Sequence, residues 1–310
     1  MQEDKKGMNK QSFATNLKFK LERITGCKVK IQSVPKNNGV VLTAIVIMRE
    51  GKNTFPTIYL EQFYDDFNFG EPIEEIVDRI LQLEEEHQIS SEFDVSDFLD
   101  FYKIKSNLYY RIINYDSNSE RLKNIPHKKI LDLAKVYYLE VENEEIGTGT
   151  ILVTNNFLVQ WNVSPDEIDI VATRNTETKL QPSVREMSEV LKENIYKEFG
   201  DGEQEVPELT KIDYPCMYVV TNKKGTFGAS TLIYNNLLKI IAEEVEDDLV
   251  IFPSSIYEFL FMPASIVERD YQELKEMVKS INDTSISREE FLSNNVYFYD
   301  RTKDKLQIAE

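Results

Sequence analysis

Residues 28–48 read "KVKIQSVPKNNGVVLTAIVIM", and their patterning sets the fold class. Two runs rich in β-branched residues, 28–34 and 40–48, flank "PKNNG", a turn carrying Asn-Gly. A connection this short joins antiparallel strands, so a hairpin is expected here. Helical patterns lie on both sides of it. Phe13, Leu17, Leu21 and Ile24 recur at helical spacing over 10–25, and Gly26 follows as the stop. Over 72–88, Pro72 suits a first turn, and Glu74 and Glu75 favour the positive end of the helix dipole. Ile73, Ile76, Val77, Ile80 and Leu83 form one stripe along that helix. "TIYLEQFYDDF" (57–67) reads as a short strand entering a helical turn. Strands paired locally between helices define an α+β fold, with a small N-terminal αββ(β)α lobe over 1–90.

Residues 91–101 fall in the polar, acidic run that starts "ISSEFDVSDF", and they are expected to link this lobe to a larger mixed αβ domain, 102–310. "LYYRIIN" (108–114) and "ILDLAKVYYLEV" (130–141) are β-rich. "GTGTILVTNNFLVQW" (147–161) runs from strand to helix. In "SPDEIDIVATRNT" (164–176), Ser164, Pro165 and Glu167 predict a capping box. Pro182 is expected to open another helix, with Met187, Val190, Leu191 and Ile195 on its buried stripe. "MYVVTN", "ASTLIY", "LVIFPSS", "FLFMP" and "NVYFYD" read as strands, with a one-turn element between the third and fourth. Helices are expected over 236–246 and along the stripe Val267, Tyr271, Leu274, Met277, Val278, Ile281. "SREEF" (287–291) reads as a second capping box. "TILVTNNFLVQW" and "TLIYNNLLKII" echo one another, as two copies of a strand-turn-helix unit or as two uses of one Asn-capped turn.

The chain of 310 residues is 41% hydrophobic and 29% charged, ordinary for a globular protein. No apolar run approaches the roughly 20 residues a bilayer span needs, and "MQEDKKGMNKQ" has no apolar signal core. Cys27 and Cys216 are isolated thiols, which fit a cytoplasmic protein. The net charge of −18 is unevenly spread. Residues 1–36 hold nine Lys/Arg against three acids, whereas 61–100 hold fourteen Asp/Glu and only Arg79. Such a block repels phosphates, so direct nucleic-acid binding is not expected.

Chemistry-bearing motifs are sparse. The two histidines and two cysteines stand at no metal-ligand spacing, and Glu84-x-x-His87 is only half of a di-iron pattern, so neither metal nor cofactor is expected. No phosphate-cradle or nucleophile-elbow motif occurs. "TNKKGTFGAS" is a basic, glycine-bearing loop that could hold an anion or simply turn the chain. Ser254 and Ser255 end a strand, where they could act as nucleophiles or cap a short helix. His127 in "NIPHKKILDLA" (124–134) lies five residues before Asp132. The pair could form an acid–base site, or Asp132 could be a buried hydrogen-bond organiser within a strand, placed on one face with Ile130 and Ala134.

Several stretches carry a resemblance. They are "NIPHKKILDLAKVYY" (124–138), "TNNFLVQWNVSPDEIDIVATRNT" (154–176), "MYVVTNKKGTFGAS" (217–230) with "VIFPSSIYEF" (250–259), and "ELKEMVKSINDTSISREEFLSNNVYFYD" (273–300). Together they resemble a family of unknown function from Gram-positive anaerobic bacteria, often found near mobile-element genes. The resemblance covers most of 100–302 and implies a cytoplasmic αβ protein with an accessory role and no established activity. Where the family pattern often has a His, this chain has Tyr257, which removes the obvious His beside Ser254 and Ser255.

Three functions follow as expectations. The first is a non-catalytic binding or regulatory protein with a protein partner, motivated by 16 Tyr and 17 Phe without a catalytic constellation. The second is an acidic mimic of nucleic-acid phosphates that inhibits a host defence nuclease by occupying its basic groove, using Glu71, Glu74, Glu75, Asp78, Glu84, Glu85 and Glu86. The third is a hydrolase built from His127, Asp132 and Ser254 or Ser255.

Overall fold

The computed structural model describes residues 7–88, 98–143, 147–199, 216–267 and 270–310. Two compact units divide the chain: Met1–Phe98 with Val141–Gly149, and Leu99–Glu140 with Thr150–Glu310. Most of the expected linker lies outside the described residues.

In the first unit, α1 (Lys10–Thr25) precedes β1 (Lys28–Pro35), β2 (Val41–Met48), β3 (Ile58–Tyr59), α2 (Glu61–Phe69) and α3 (Ile73–Glu86). The hairpin of β1 and β2 pairs Lys28 with Met48 and Pro35 with Val41, around a turn in which Asn38 takes a left-handed φ of 55°. β3 completes a sheet of order β1-β2-β3. Phe13, Leu17 and Leu21 of α1 and Ile76, Val77 and Ile80 of α3 pack with Val29, Ile45, Ile47 and Phe63 in one core. Ile24 does not join them and is 56% exposed, because α1 ends one residue later at Thr25 and Gly26 caps it at φ +68°.

The second unit begins with α4 (Phe101–Ile104), β4 (Leu108–Asn114), α5 (Ser119–Leu122), β5 (His127–Ile130) and β6 (Leu133–Asn143). These strands form a sheet of order β4-β6-β5, and β7 (Gly147–Leu152) pairs with β6. Next come α6 (Asn155–Trp161) and α7 (Pro165–Lys179), the latter opened by the expected Ser164–Glu167 capping box with Pro165 in its first turn. The chain continues through β8 (Pro182–Glu186), α8 (Met187–Phe199), β9 (Tyr218–Asn222), α9 (Leu237–Glu244), β10 (Leu249–Phe252), β11 (Phe259–Pro263), α10 (Tyr271–Ser285), β12 (Tyr297–Asp300) and β13 (Lys305–Ile308). A second sheet, antiparallel throughout, has the order β13-β12-β10-β11-β9-β8. The fold is α+β.

Four local expectations are corrected. Pro182 opens a strand, not a helix: β8 is an edge strand, where a missing N–H costs no ladder bond. "ASTLIY" falls in a 3-10 helix, Gly228–Ile233, so the echo of "TILVTNN" is not a repeated strand-turn-helix unit. "SREEF" is a turn closed by Glu290 N–H donating to Ser287 O, not a helix start. No one-turn helix follows Ser255, which instead bridges to Phe291.

Candidate functional site

The β5–β6 register pairs Ile130 with Leu133, leaving Leu131 and Asp132 as a two-residue turn. Asp132 is therefore not a strand residue and does not share a strand face with Ile130 and Ala134. Leu131 takes φ 54°, a left-handed conformation that costs a side chain of this kind about 1–2 kcal/mol. The surroundings hold it there. The Asp132 carboxylate accepts from Ser293 Oγ at 2.6 Å, from Asn295 Nδ2 at 2.9 Å and from the Tyr297 hydroxyl. Its backbone carbonyl accepts from Tyr115 N–H at 2.9 Å. Burial, then the adjacent carboxylate, pushes the Tyr297 phenol far above the usual tyrosine range. Asp132 thus ties the β5–β6 turn to the segment entering β12.

His127 is elsewhere engaged. Its Nδ1–H donates to the Ile125 carbonyl at 3.0 Å, and its ring lies 6.0 Å from that of Tyr115. Among the described residues no hydrogen bond joins His127 to Asp132, Ser254 or Ser255. Ser255 is buried; its Oγ donates to Glu258 at 3.0 Å and accepts from Tyr257 N–H at 3.1 Å, a local side-chain turn. Tyr257 turns its hydroxyl to Glu290 at 3.1 Å. These groups hold loops together, each through separate local contacts among the described residues.

The seven carboxylates proposed to mimic phosphates are also divided. Glu84 is 1% exposed and takes a two-pronged ion pair from Arg49, at 2.9 Å from Nε and 2.5 Å from Nη2. It is a buried structural acid, contrary to the surface role expected of it. Glu71 shares Arg79 with Asp66, and Glu74 meets Lys20 at 2.9 Å. Glu75, Asp78, Glu85 and Glu86 face solvent. His87 caps α3, its Nδ1–H donating to Leu83 O at 2.9 Å, so Glu84-x-x-His87 assembles no ligand pair.

The second unit contains an apolar cleft of about 150 Å³ between α10 and the six-stranded sheet. Phe252, Leu260 and Met262 form its floor, Met217 adjoins them, and Leu274, Met277, Val278 and Ile281 of α10 form its wall. Met277 and Ile281 are half-exposed. Ser254 and Asn282 are its polar members. Asn282 is buried, and its Nδ2 donates to Ser293 O at 3.0 Å and to Asn294 Oδ1 at 2.8 Å. Those two acceptors fix the amide orientation and leave the Asn282 Oδ1 buried without a donor. A buried carbonyl left this way loses about 1–3 kcal/mol.

A family model matches the sequence over residues 9–301. The chain belongs to DUF5688, a family of unknown function. No curated protein and no solved structure matches this DUF5688 chain.

The basic loop of this DUF5688 protein is committed to structure. Lys223 binds Gln181 Oε1 at 2.9 Å, Lys224 binds Glu140 at 2.5 Å, and Gly225 turns the chain at φ +70°. Behind it Gly228 passes so close to its neighbours that a Cβ would sit 2.3 Å from Tyr257 O and 1.9 Å from Thr221 Oγ1. Gly228→Ala should therefore cost about 2–3 kcal/mol, read as a lowered urea midpoint; a shift below about 0.5 kcal/mol would show that the loop gives way freely. Sequence reading missed the cleft's polar member, although an Asn beside the apolar stripe of α10 was the available signal. It also passed over Arg111, a charged residue inside the apolar strand "LYYRIIN".

Proposed function

We propose that this chain is a non-catalytic binding protein whose cleft under α10 takes a small ligand with a single-ring or short hydrocarbon body and one hydrogen-bond donor. The observation that carries this reading is Asn282, one of two polar residues lining an otherwise apolar cleft, whose buried Oδ1 has no donor. An apolar void of about 150 Å³ has the size that holds one benzene ring. Three methionines, Met217, Met262 and Met277, let the lining adjust to ring substituents. The engagement of His127, Asp132 and Ser255 in separate structural contacts supports binding over hydrolysis.

Titration with phenol and with toluene, similar in shape but unequal in donors, tests the assignment. Phenol is expected to bind roughly tenfold or more tightly, the equivalent of one satisfied buried carbonyl. Met277→Trp, at the half-exposed mouth, should abolish binding of both while leaving the urea midpoint within about 0.5 kcal/mol. Equal affinity for the two compounds, or binding that survives Met277→Trp, would remove Asn282 and the cleft from the reading.

A further inference from the structure

The two faces of the β4-β6-β5 sheet treat their cations differently. On one face Lys128 and Lys135 converge on Asp169 of α7, at 2.8 and 2.6 Å. The other face is defined by the register. Arg111 pairs with Val136 and Val136 with His127, while Ile113 pairs with Ala134 and Ala134 with Lys129. Side chains directly opposite across a sheet share a face, so Arg111, His127 and Lys129 lie on the face that carries Ile113, Ala134 and Val136. Leu122 of α5 packs with those three residues, and Arg121, the residue before it, lies close enough to Arg111 to repel its charge. Among the described residues, Arg111, Arg121 and Lys129 have no carboxylate partner.

Arg111 is the anomaly. Its guanidinium lies 4.4 Å over the ring of Phe227, which packs edge-on against Tyr138 at 5.2 Å. Its Nε is buried and has no acceptor. Arg49, Arg79 and Arg185 all find carboxylates in this acidic chain: Glu84, the pair Asp66 and Glu71, and Glu193. Glu140, on the strand that pairs with Arg111's own, is taken by Lys224. A desolvated guanidinium without a counter-charge is costly to keep, and it is kept here beside a second one. Burial and the repulsion of Arg121 push Arg111 down to about 10, which leaves it charged at neutral pH. Burial also lowers Arg121.

We propose that Arg111 and Arg121 form a binding site for a small phosphate-bearing ligand, with Arg111 presenting its planar fork and Arg121 the second positive charge. A phosphate monoester carries close to two negative charges near neutral pH, which matches two unpaired arginines. Its oxygens fit the parallel N–H donors of a guanidinium already held over the ring of Phe227. Lys129, stacked on Tyr115 at 4.1 Å, adds long-range attraction on the same face.

Calorimetric titration of the full chain with inorganic phosphate tests the site, with chloride added to matched ionic strength and succinate as the dicarboxylate arm. Saturable phosphate binding is expected, with Arg121→Gln weakening it roughly tenfold or more while the thermal midpoint without phosphate stays unchanged. Arg111→Met should abolish the phosphate-dependent rise in midpoint and, by removing an unpaired buried charge, should not lower the phosphate-free midpoint. Binding of phenol under α10 should be the same in both variants, so this site and the cleft stand or fall separately. Absence of saturable phosphate binding up to about 10 mM, or equal binding by Arg121→Gln, overturns the site. Tighter binding of succinate than of phosphate overturns the ligand class.

Discussion

Asp132→Ala should lower the stability of the unit that contains it by about 4 kcal/mol, seen as a shift of the urea midpoint with little change in slope. Three donors lose their acceptor at once: Ser293 Oγ, Asn295 Nδ2 and the Tyr297 hydroxyl. Hydrogen bonds to a charged acceptor contribute about 1.5–3 kcal/mol each, and the buried Tyr297 hydroxyl would be stranded. The same change frees Leu131 from the contact that keeps it at positive φ, so part of the loss is offset by relieved strain. Tyr297→Phe isolates one donor, keeps the ring, and should cost about 1–2 kcal/mol. Asp132→Asn should fall between the two, because one of its amide edges presents N–H groups to other donors. A loss below about 1 kcal/mol for Asp132→Ala would mean that the β5–β6 turn is not clamped through this side chain.

Much of this architecture is legible because it is local. The 28–48 hairpin follows from two β-branched runs and an Asn-Gly turn, and the start of α7 follows from Ser164, Pro165 and Glu167 within four residues. What could not be read locally depends on partners far along the chain. Asp132 was recognisable as an acid in need of hydrogen bonds, but its partners lie 161, 163 and 165 residues away. Pro182 suits a helix start and an edge strand equally well; only the sheet order separates them. "ASTLIY" has strand composition, yet it is wound tightly because Gly228 packs against Thr221 and Tyr257. Glu84 sits among six acidic surface positions, and only Arg49, 35 residues earlier, makes it a buried ion-pair member. The candidate sites share this property. Arg111 and Asn282 are odd in their own segments, but what makes them chemically informative is a partner that is missing in space.

Asp169→Ala is the complementary test of a charge that does have its partners, and the expected loss is about 3–5 kcal/mol. The Asp169 carboxylate receives Lys128 at 2.8 Å, Lys135 at 2.6 Å and the Tyr137 hydroxyl at 3.0 Å. Lys135 is nearly inaccessible, and without Asp169 its remaining contacts among the described residues are Thr173 Oγ1 at 2.6 Å and the face of Tyr110 at 4.1 Å, with a weaker attraction from Glu177. Adding Lys135→Met removes the stranded ammonium and should restore at least half of the loss, so the double variant should be more stable than Asp169→Ala alone. The pH dependence distinguishes this cause from a simple cavity. Burial works to raise the Asp169 carboxyl, but hydrogen bonds from Lys128 and Lys135 overcome it and hold the carboxyl below its ordinary value of 3.8. Its stabilisation is therefore present above that value and is lost as pH falls through the lowered one, a loss that Asp169→Ala should no longer show. Lys135 runs the other way. Burial depresses it below 10.5 even with Asp169 opposing, so its charged form weighs against folding at neutral pH and the penalty lifts as the amine deprotonates. Asp169→Ala should accordingly regain stability relative to the native chain as pH rises from 7 toward about 10, and the double variant should not. A deficit that stays constant across that interval would assign the loss to packing around Tyr137 instead of to the uncompensated Lys135 charge.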